Sequence, residues 1–335
     1  RLPKKALEAD IKRITSLGVS VETGVCLGRD VTLESLFKDG YGAIFVAVGA
    51  HESRRLGVEG EGLDGVLHAL DFLKAVKLGE HVSVGKRVAV IGGGDVAIDS
   101  ARTALRLGAE EVTVLYRRSR KEMPASPEQV RRAEEEGVKL HFLVAPVGFL
   151  GGGRVSAVRL VRMRLGEPDE SGRRRPIPIP NSEFTLPFDT IIVAIGEAPK
   201  TAYLSSSLKL DRRGRIEVDS LTLETSMKGV FAGGDVVTGP ATVVEAIAAG
   251  KRAAESIHRY LRGLDLRAGR RRPKKVERRM APPVSWKVRA PVPVLPPEER
   301  IKGFMEVELG YDEETAIREA SRCLKCALKL STQNT

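Results

Sequence analysis

Ten residues constrain this chain more than the rest: Val88-Ala89-Val90-Ile91-Gly92-Gly93-Gly94-Asp95-Val96-Ala97. An apolar run breaks on glycines, a helical pattern follows over 95–107, and a second apolar run over 111–116. A strand, a G-x-G-x-x-A turn, a helix and a second strand fit together as a parallel βαβ unit. Gly92 permits the tight bend, Gly94 lets the backbone approach a diphosphate, and Ala97 lets the helix lie close on the sheet. The free N–H groups and positive dipole of the helix end favour phosphate charge. Residues 85–196 are therefore expected to be a dinucleotide-binding domain.

The tip of the second strand selects among dinucleotides. A site for NAD carries Asp or Glu about 20 residues beyond the glycines, to bond the ribose 2′-hydroxyl. This chain has Tyr116-Arg117-Arg118-Ser119-Arg120-Lys121 instead. A carboxylate would repel the extra phosphate of NADPH, whereas guanidinium groups grip it. NADPH is the expected cofactor, with Arg117, Arg118 and Lys121 as its phosphate ligands. A solvated basic loop accounts for two of the four cations, but not for Arg117 at the strand tip.

The remaining pattern extends the α/β reading. Residues 4–17 space Leu7, Ile11, Ile14 and Leu17 as one helical stripe, and 19–25 alternates like a short strand. Thr32 is placed to cap a helix over 32–37, and 43–48 reads as a buried parallel strand ending at Gly49. After the first βαβ come a helix over 126–136 and a strand over 138–143, predicting a doubly wound parallel sheet. Residues 151–189 look like an antiparallel insertion with 172–180 as loop, before a buried strand over 189–195. Strand 230–232 and a long helix over 241–261 return to the first domain.

Gly229-Val230-Phe231-Ala232-Gly233-Gly234-Asp235 runs into a short loop and then the long helix. In flavoproteins such a Gly-Gly-Asp puts a carboxylate on the ribityl chain and a helix N-terminus near the flavin N1/O2 edge. Taken with Arg1-Leu2-Pro3-Lys4, the segment 92–99, YRRSRKEMPA (116–125), AIGEAP (194–199) and FAGGDVVTGPATVVEAIAAG (231–250), the chain resembles the flavoproteins of the glutamate synthase small-subunit type. The NADPH-side half of dihydropyrimidine dehydrogenase and the ferredoxin:NADP transhydrogenases belong to the same group.

The resemblance covers nearly all of 1–265. It implies two Rossmann-like, three-layer domains of the disulfide-reductase-like type: an FAD-binding domain (1–84 and 197–265) interrupted by an NADPH-binding one (85–196). Carried over by motif, Gly92, Gly94, Asp95, Val96, Ala97, Arg117, Arg118 and Lys121 contact NADPH, and Ala194, Ile195 and Gly196 lie near the nicotinamide. Arg1, Leu27 through its backbone, Gly234, Asp235, Thr242 and Val243 touch FAD. The family's FAD domain opens with its own strand, G-x-G-x-x-G and helix, preceded by an iron–sulfur region. Neither stands in this sequence, so the first domain reads as incomplete and this chain alone is expected to hold FAD poorly. The chain begins without an initiator Met, which suggests a fragment, a processed chain or one piece of a split enzyme.

Three cysteines make no disulfide framework. Cys26 reads as an ordinary buried residue. Cys323 and Cys326, in a helical segment over 301–335, resemble the start of an iron–sulfur segment. A [4Fe–4S] cluster needs four thiolates, so further ligands would have to come from elsewhere. The histidines show no ligand spacing. Hydride transfer between nicotinamide and flavin needs no side-chain acid or base, so no catalytic residue is expected.

Of the net charge of +11, eight Lys/Arg and one Glu between Arg267 and Arg279 supply +7. This stretch and the prolines that follow read as a linker over 266–300. A recognition motif and base-stacking aromatics are lacking, which argues against nucleic acid. No apolar run nears the eighteen or so residues of a membrane span. A cytoplasmic protein is expected, partnered by an iron–sulfur subunit, a large catalytic oxidoreductase subunit or a ferredoxin-like protein.

Overall fold

The structure, a computed structural model, describes residues 3–271 and 288–322. It divides into two compact units, the larger spanning Val21–Arg272 and the smaller taking both chain ends. Helix α1 (Lys4–Thr15), in the smaller unit, forms as expected, yet it buries no residue and its stripe of Leu7, Ile11 and Ile14 is exposed. The alternation over 19–25 does not make a strand: Val19, Val21 and Val25 stand in solvent. A period of two becomes a strand only where a neighbour supplies the hydrogen-bond ladder, and among the described residues none does.

In the larger unit, α2 (Leu33–Lys38) starts at Thr32, whose hydroxyl accepts from the Ser35 N–H while Ser35 bonds back, a full capping box. Strand β1 (Ile44–Val46) leads to β2 (Glu52–Ser53), β3 (Val66–His68) and α3 (Ala69–Leu78). Then come β4 (Arg87–Ile91), α4 (Asp95–Arg106), β5 (Glu111–Tyr116), α5 (Pro127–Glu135) and β6 (Lys139–Phe142). An antiparallel layer follows: β7 (Val144–Gly151), β8 (Val155–Pro168), β9 (Arg174–Pro178) and β10 (Phe184–Pro187). Strands β11 (Thr190–Val193), β12 (Glu197–Ala198) and β13 (Val230–Ala232) precede α6 (Asp235–Thr238) and α7 (Val243–Leu261).

The parallel sheet has the order β3-β11-β4-β5-β6. Its central strands β4, β5 and β11 are mostly apolar because both faces are covered. Val88, Val90, Val112, Val114 and Ile192 pack on α3, α4 and α5. Their alternating neighbours Ala89, Ile91, Leu115, Ile191 and Val193 pack on Val144, Phe149, Val158 and Leu160 of the antiparallel layer. The strand order runs both ways from β4, as expected. Helices cover one face, and an antiparallel sheet replaces them on the other.

The loop expected over 172–180 is also corrected, because Arg174–Pro178 pairs with β8. Pro176 and Pro178 are tolerated because, among the described residues, β9 pairs with β8 alone and is an edge strand. A second, two-stranded parallel sheet joins β1 to β13, Ile44 opposite Val230, over a core that includes Leu33, Leu204 and Ile216. Antiparallel β2 and β12 bridge the crossings between the two sheets.

In the smaller unit, the proline-rich stretch is folded from Val288 onward rather than a bare linker. Val294 bridges Glu308, Tyr311 donates to the Ala290 carbonyl at 2.7 Å, and Arg300 in α8 (Pro297–Arg300) is buried. Helix α9 (Glu313–Ser321) is capped by Asp312. The basic run beyond 271, the end of the expected last helix, Arg1, Cys323 and Cys326 lie outside the described residues. Cys26 is exposed, not buried, because the turn 26–31 closes through its backbone and leaves the thiol at the surface.

Candidate functional site

Strand order changes direction beside β4: β5 and β6 extend one way, β11 and β3 the other. Parallel sheets open a crevice at the carboxyl ends of their strands at such a switch. The Gly92-Gly93-Gly94 turn sits there, and each glycine has its own reason. At Gly92, φ is +147°, and an added Cβ would stand 2.2 Å from the Ala194 carbonyl oxygen. At Gly93 it would strike the Tyr116 ring at 2.5 Å. At Gly94 it would meet only Pro124, at 3.9 Å, so the space there is open. Gly94 is also the N-cap of α4, and no side chain caps that helix. Ala97 is fully buried, as close helix–sheet packing requires. Asp95 accepts a hydrogen bond from the Ser126 N–H at 3.4 Å, which ties the helix start to the loop ahead of α5.

The four cations beyond β5 separate into two kinds. Arg118 is 5% exposed, and its guanidinium is bound to Asp169 at 2.6 Å and, through Nε, to the Arg174 carbonyl at 2.8 Å. Arg120 pairs with Glu134 and lies over the Phe142 ring. Arg117 and Lys121 reach solvent and make no ion pair among the described residues. Partial burial, then the like charges of Arg118 and Arg173, push the Arg117 pKa down from its ordinary value. The expectation that Arg118 grips phosphate is therefore revised. Its charge is already spent on Asp169.

The second expected site lies at the small sheet. A cleft of about 210 Å³ is lined by Phe45, Gly49, Gly233, Gly234, Asp235 and Thr242, among others. Gly233 is required because a Cβ would come within 3.0 Å of both Phe45 and Ala249. Thr242 and Glu245 form a capping box that opens α7 onto the cleft, with Val243 exposed beside it. The Asp235 carboxylate accepts from the Ala241 N–H at 3.2 Å. Leu27 is not in this cleft; it packs into the core beneath the small sheet.

One loop is coupled to both places. Ala194 backs the Gly92 turn, and Glu197, three residues on, feels the Asp235 carboxylate. Burial first, and then the Asp235 charge, push the Glu197 carboxyl above the usual range, with His51 opposing. Gly196 accepts from the Arg54 N–H at 3.0 Å, holding the loop between the two sites.

A family model described as pyridine nucleotide-disulphide oxidoreductase matches residues 4–250. The chain belongs to that family. The chain is 44% identical to the NADP(+)-dependent formate dehydrogenase subunit beta of Moorella thermoacetica, over 97% of this chain and 48% of that protein. It is 42% identical to the glutamate synthase [NADPH] small chain of Azospirillum brasilense, over 78% of this chain and 57% of that one. The chain thus spans about half the length of the curated relatives it matches. Among solved structures, FprA of Mycobacterium tuberculosis in complex with NADPH superposes with a TM-score of 0.63 at 20% identity, covering 78% of this chain and 73% of FprA. That likeness shows a shared fold.

Several residues at or near these two places were not singled out from the sequence. Phe45, Ala47 and Gly49 were read only as strand, and Glu197 only as part of a motif. A continuous apolar run ending in glycine was the available signal for the first three. For Glu197 there was none, because its neighbours His51 and Asp235 are remote in sequence.

Proposed function

We propose that the chain is the NADPH-oxidising part of a flavin-dependent oxidoreductase, passing electrons through FAD to an iron–sulfur centre or a partner subunit. Residues 85–196 take NADPH, while 1–84 with 197–265 supply part of an FAD site. The reading is carried by loop 194–197, whose Ala194 backs the dinucleotide turn and whose Glu197 responds to the charge of Asp235 in the Gly-Gly-Asp cleft. Two cofactors sharing that loop would be held side by side. When bound, the nicotinamide supplies a hydride and the flavin accepts it.

The residues fit these groups. The open face of Gly94 and the uncapped start of α4 suit a diphosphate. Arg117 and Lys121 suit the 2′-phosphate. The N-terminus of α7 at the cleft favours negative charge on whatever lies there. Asp235 lines the cleft and offers a carboxylate suited to a ribityl hydroxyl, and Glu197 holds its proton above the usual carboxylate range. Arg1 and the pair Cys323 and Cys326 remain candidates from sequence, and a cluster at the cysteines needs ligands from elsewhere. The words "subunit beta" and "small chain" in the relatives' names support a partner subunit.

The test is titration of the purified chain with NADPH and NADH. Arg117→Ala is expected to weaken NADPH by roughly tenfold or more, the weight of a charge-assisted hydrogen bond, and to leave NADH unchanged. Equal loss for both would remove the phosphate assignment. Flavin absorbance in the purified, FAD-supplemented chain tests the second half of the reading.

A further inference from the structure

We propose that Arg173, on the turn between β8 and β9, is a second residue that sets 2′-phosphate specificity, and that Arg118 and Asp169 are the positioning residues that bring it there. The inference rests on the NADPH reading above and assigns to that site a residue from the antiparallel layer.

Arg118 grips the turn at two points on either side of Arg173: the Asp169 carboxylate and the Arg174 carbonyl. The turn is closed on itself. Asp169 N–H donates to the Arg173 carbonyl and Gly172 N–H to the Asp169 carbonyl, each at 2.8 Å. The Arg173 Nε donates to the Ser171 hydroxyl at 2.9 Å, which orients the guanidinium without neutralising it. Arg173 is half-buried and makes no ion pair among the described residues. Its charge acts on Arg117, the neighbour of Arg118 in the chain.

The turn that carries Arg173 is thus fixed to Arg118, the residue next to Arg117 at the end of β5, and the Asp169 carboxylate on that turn is committed to Arg118. Like charges repel, so the action of Arg173 on Arg117 costs the folded chain something unless an anion joins them. A phosphate monoester with two negative charges is the chemical class that fits, because each guanidinium offers a planar pair of donors. The hairpin reaches the tip of β5, the edge of the sheet that also carries the Gly92 turn. The two cations therefore flank the same end of a dinucleotide that the sequence assigns to Arg117.

The experiment is calorimetric titration of the full chain with adenosine 2′,5′-bisphosphate and with adenosine 5′-monophosphate, which differ only in the 2′-phosphate. It needs no flavin and no turnover. Arg173→Ala is expected to weaken the bisphosphate by about tenfold and to leave the monophosphate unchanged, with Arg173→Lys restoring part of the loss. Asp169→Asn, with its melting curve checked, is expected to lower the same ratio several-fold through the freed turn. If Arg117→Ala lowers the ratio and Arg173→Ala does not, the Arg173 assignment is overturned while the NADPH reading stands. If neither lowers it, the 2′-phosphate site itself is wrong and both fall together.

Discussion

Gly94→Val is expected to cost roughly a hundredfold or more in affinity for nicotinamide dinucleotides, about 2.7 kcal/mol, with the thermal midpoint moving by no more than about 2 °C. The separation follows from geometry. Gly94 has φ −90° and ψ 176°, extended backbone open to any residue, and its missing Cβ would face nothing nearer than Pro124 at 3.9 Å. The fold therefore accepts a side chain there. The isopropyl group would occupy the open space at the start of α4, where a diphosphate must approach the backbone. Gly92→Ala is the contrasting change. Its Cβ would press on the Ala194 carbonyl oxygen at 2.2 Å, and its φ of +147° disfavours any side chain, so it should lose stability along with binding. Unimpaired NADPH binding by a folded Gly94→Val chain would refute the diphosphate assignment.

The largest stability effect is expected at Glu136. Its carboxylate, fully buried at the end of α5, is shared by Arg102 at 2.9 Å and Arg106 at 2.8 Å on α4, and Arg102 also bonds Gln129. Glu136→Ala would leave two guanidinium groups in a buried setting without their counter-charge, at a cost of about 3–5 kcal/mol. Urea unfolding should show the midpoint fall at unchanged slope. A loss under about 1 kcal/mol would mean that water already screens the cluster.

The same cluster sets a pH dependence. Burial would push the Glu136 carboxyl up, but hydrogen bonds and charge from Arg102 and Arg106 outweigh it and hold the group below its ordinary value of 4.5. A carboxyl depressed in the folded state stabilises fully above its unfolded value, and that contribution is lost as pH falls through the folded one. Wild-type stability should therefore drop below about pH 4.5, and the Glu136→Ala chain should show less of that drop.

Much of the larger unit could be read in the sequence because its signals are local. The glycine turn, the apolar runs of β4, β5 and β11, the Thr32 cap and the Gly-Gly-Asp loop each lie within a few residues of one another. Backbone sterics and hydrogen-bond periods act over that range. The reading failed where partners were distant. The alternation over 19–25 lacked a neighbouring strand, and the arginine- and proline-rich stretch after 172 found one in β8. That the antiparallel insertion would cover the second face of the parallel sheet was not legible, because buried parallel strands look alike in sequence whatever covers them.

The candidate site divides along the same line. From the sequence alone came a βαβ unit with a glycine turn suited to a diphosphate and a cluster of cations at the next strand's end. Which of those cations is available was a tertiary matter. Arg118 is neutralised by Asp169, 51 residues away, and the bond ties the turn of Arg173 to the end of β5. The link between the two sites was tertiary as well, since Glu197 comes under the charge of Asp235 only once β12 has paired with β2. Turn chemistry is written in neighbouring residues. The pairing of a charge depends on whichever chain segments folding brings within a few ångströms of it.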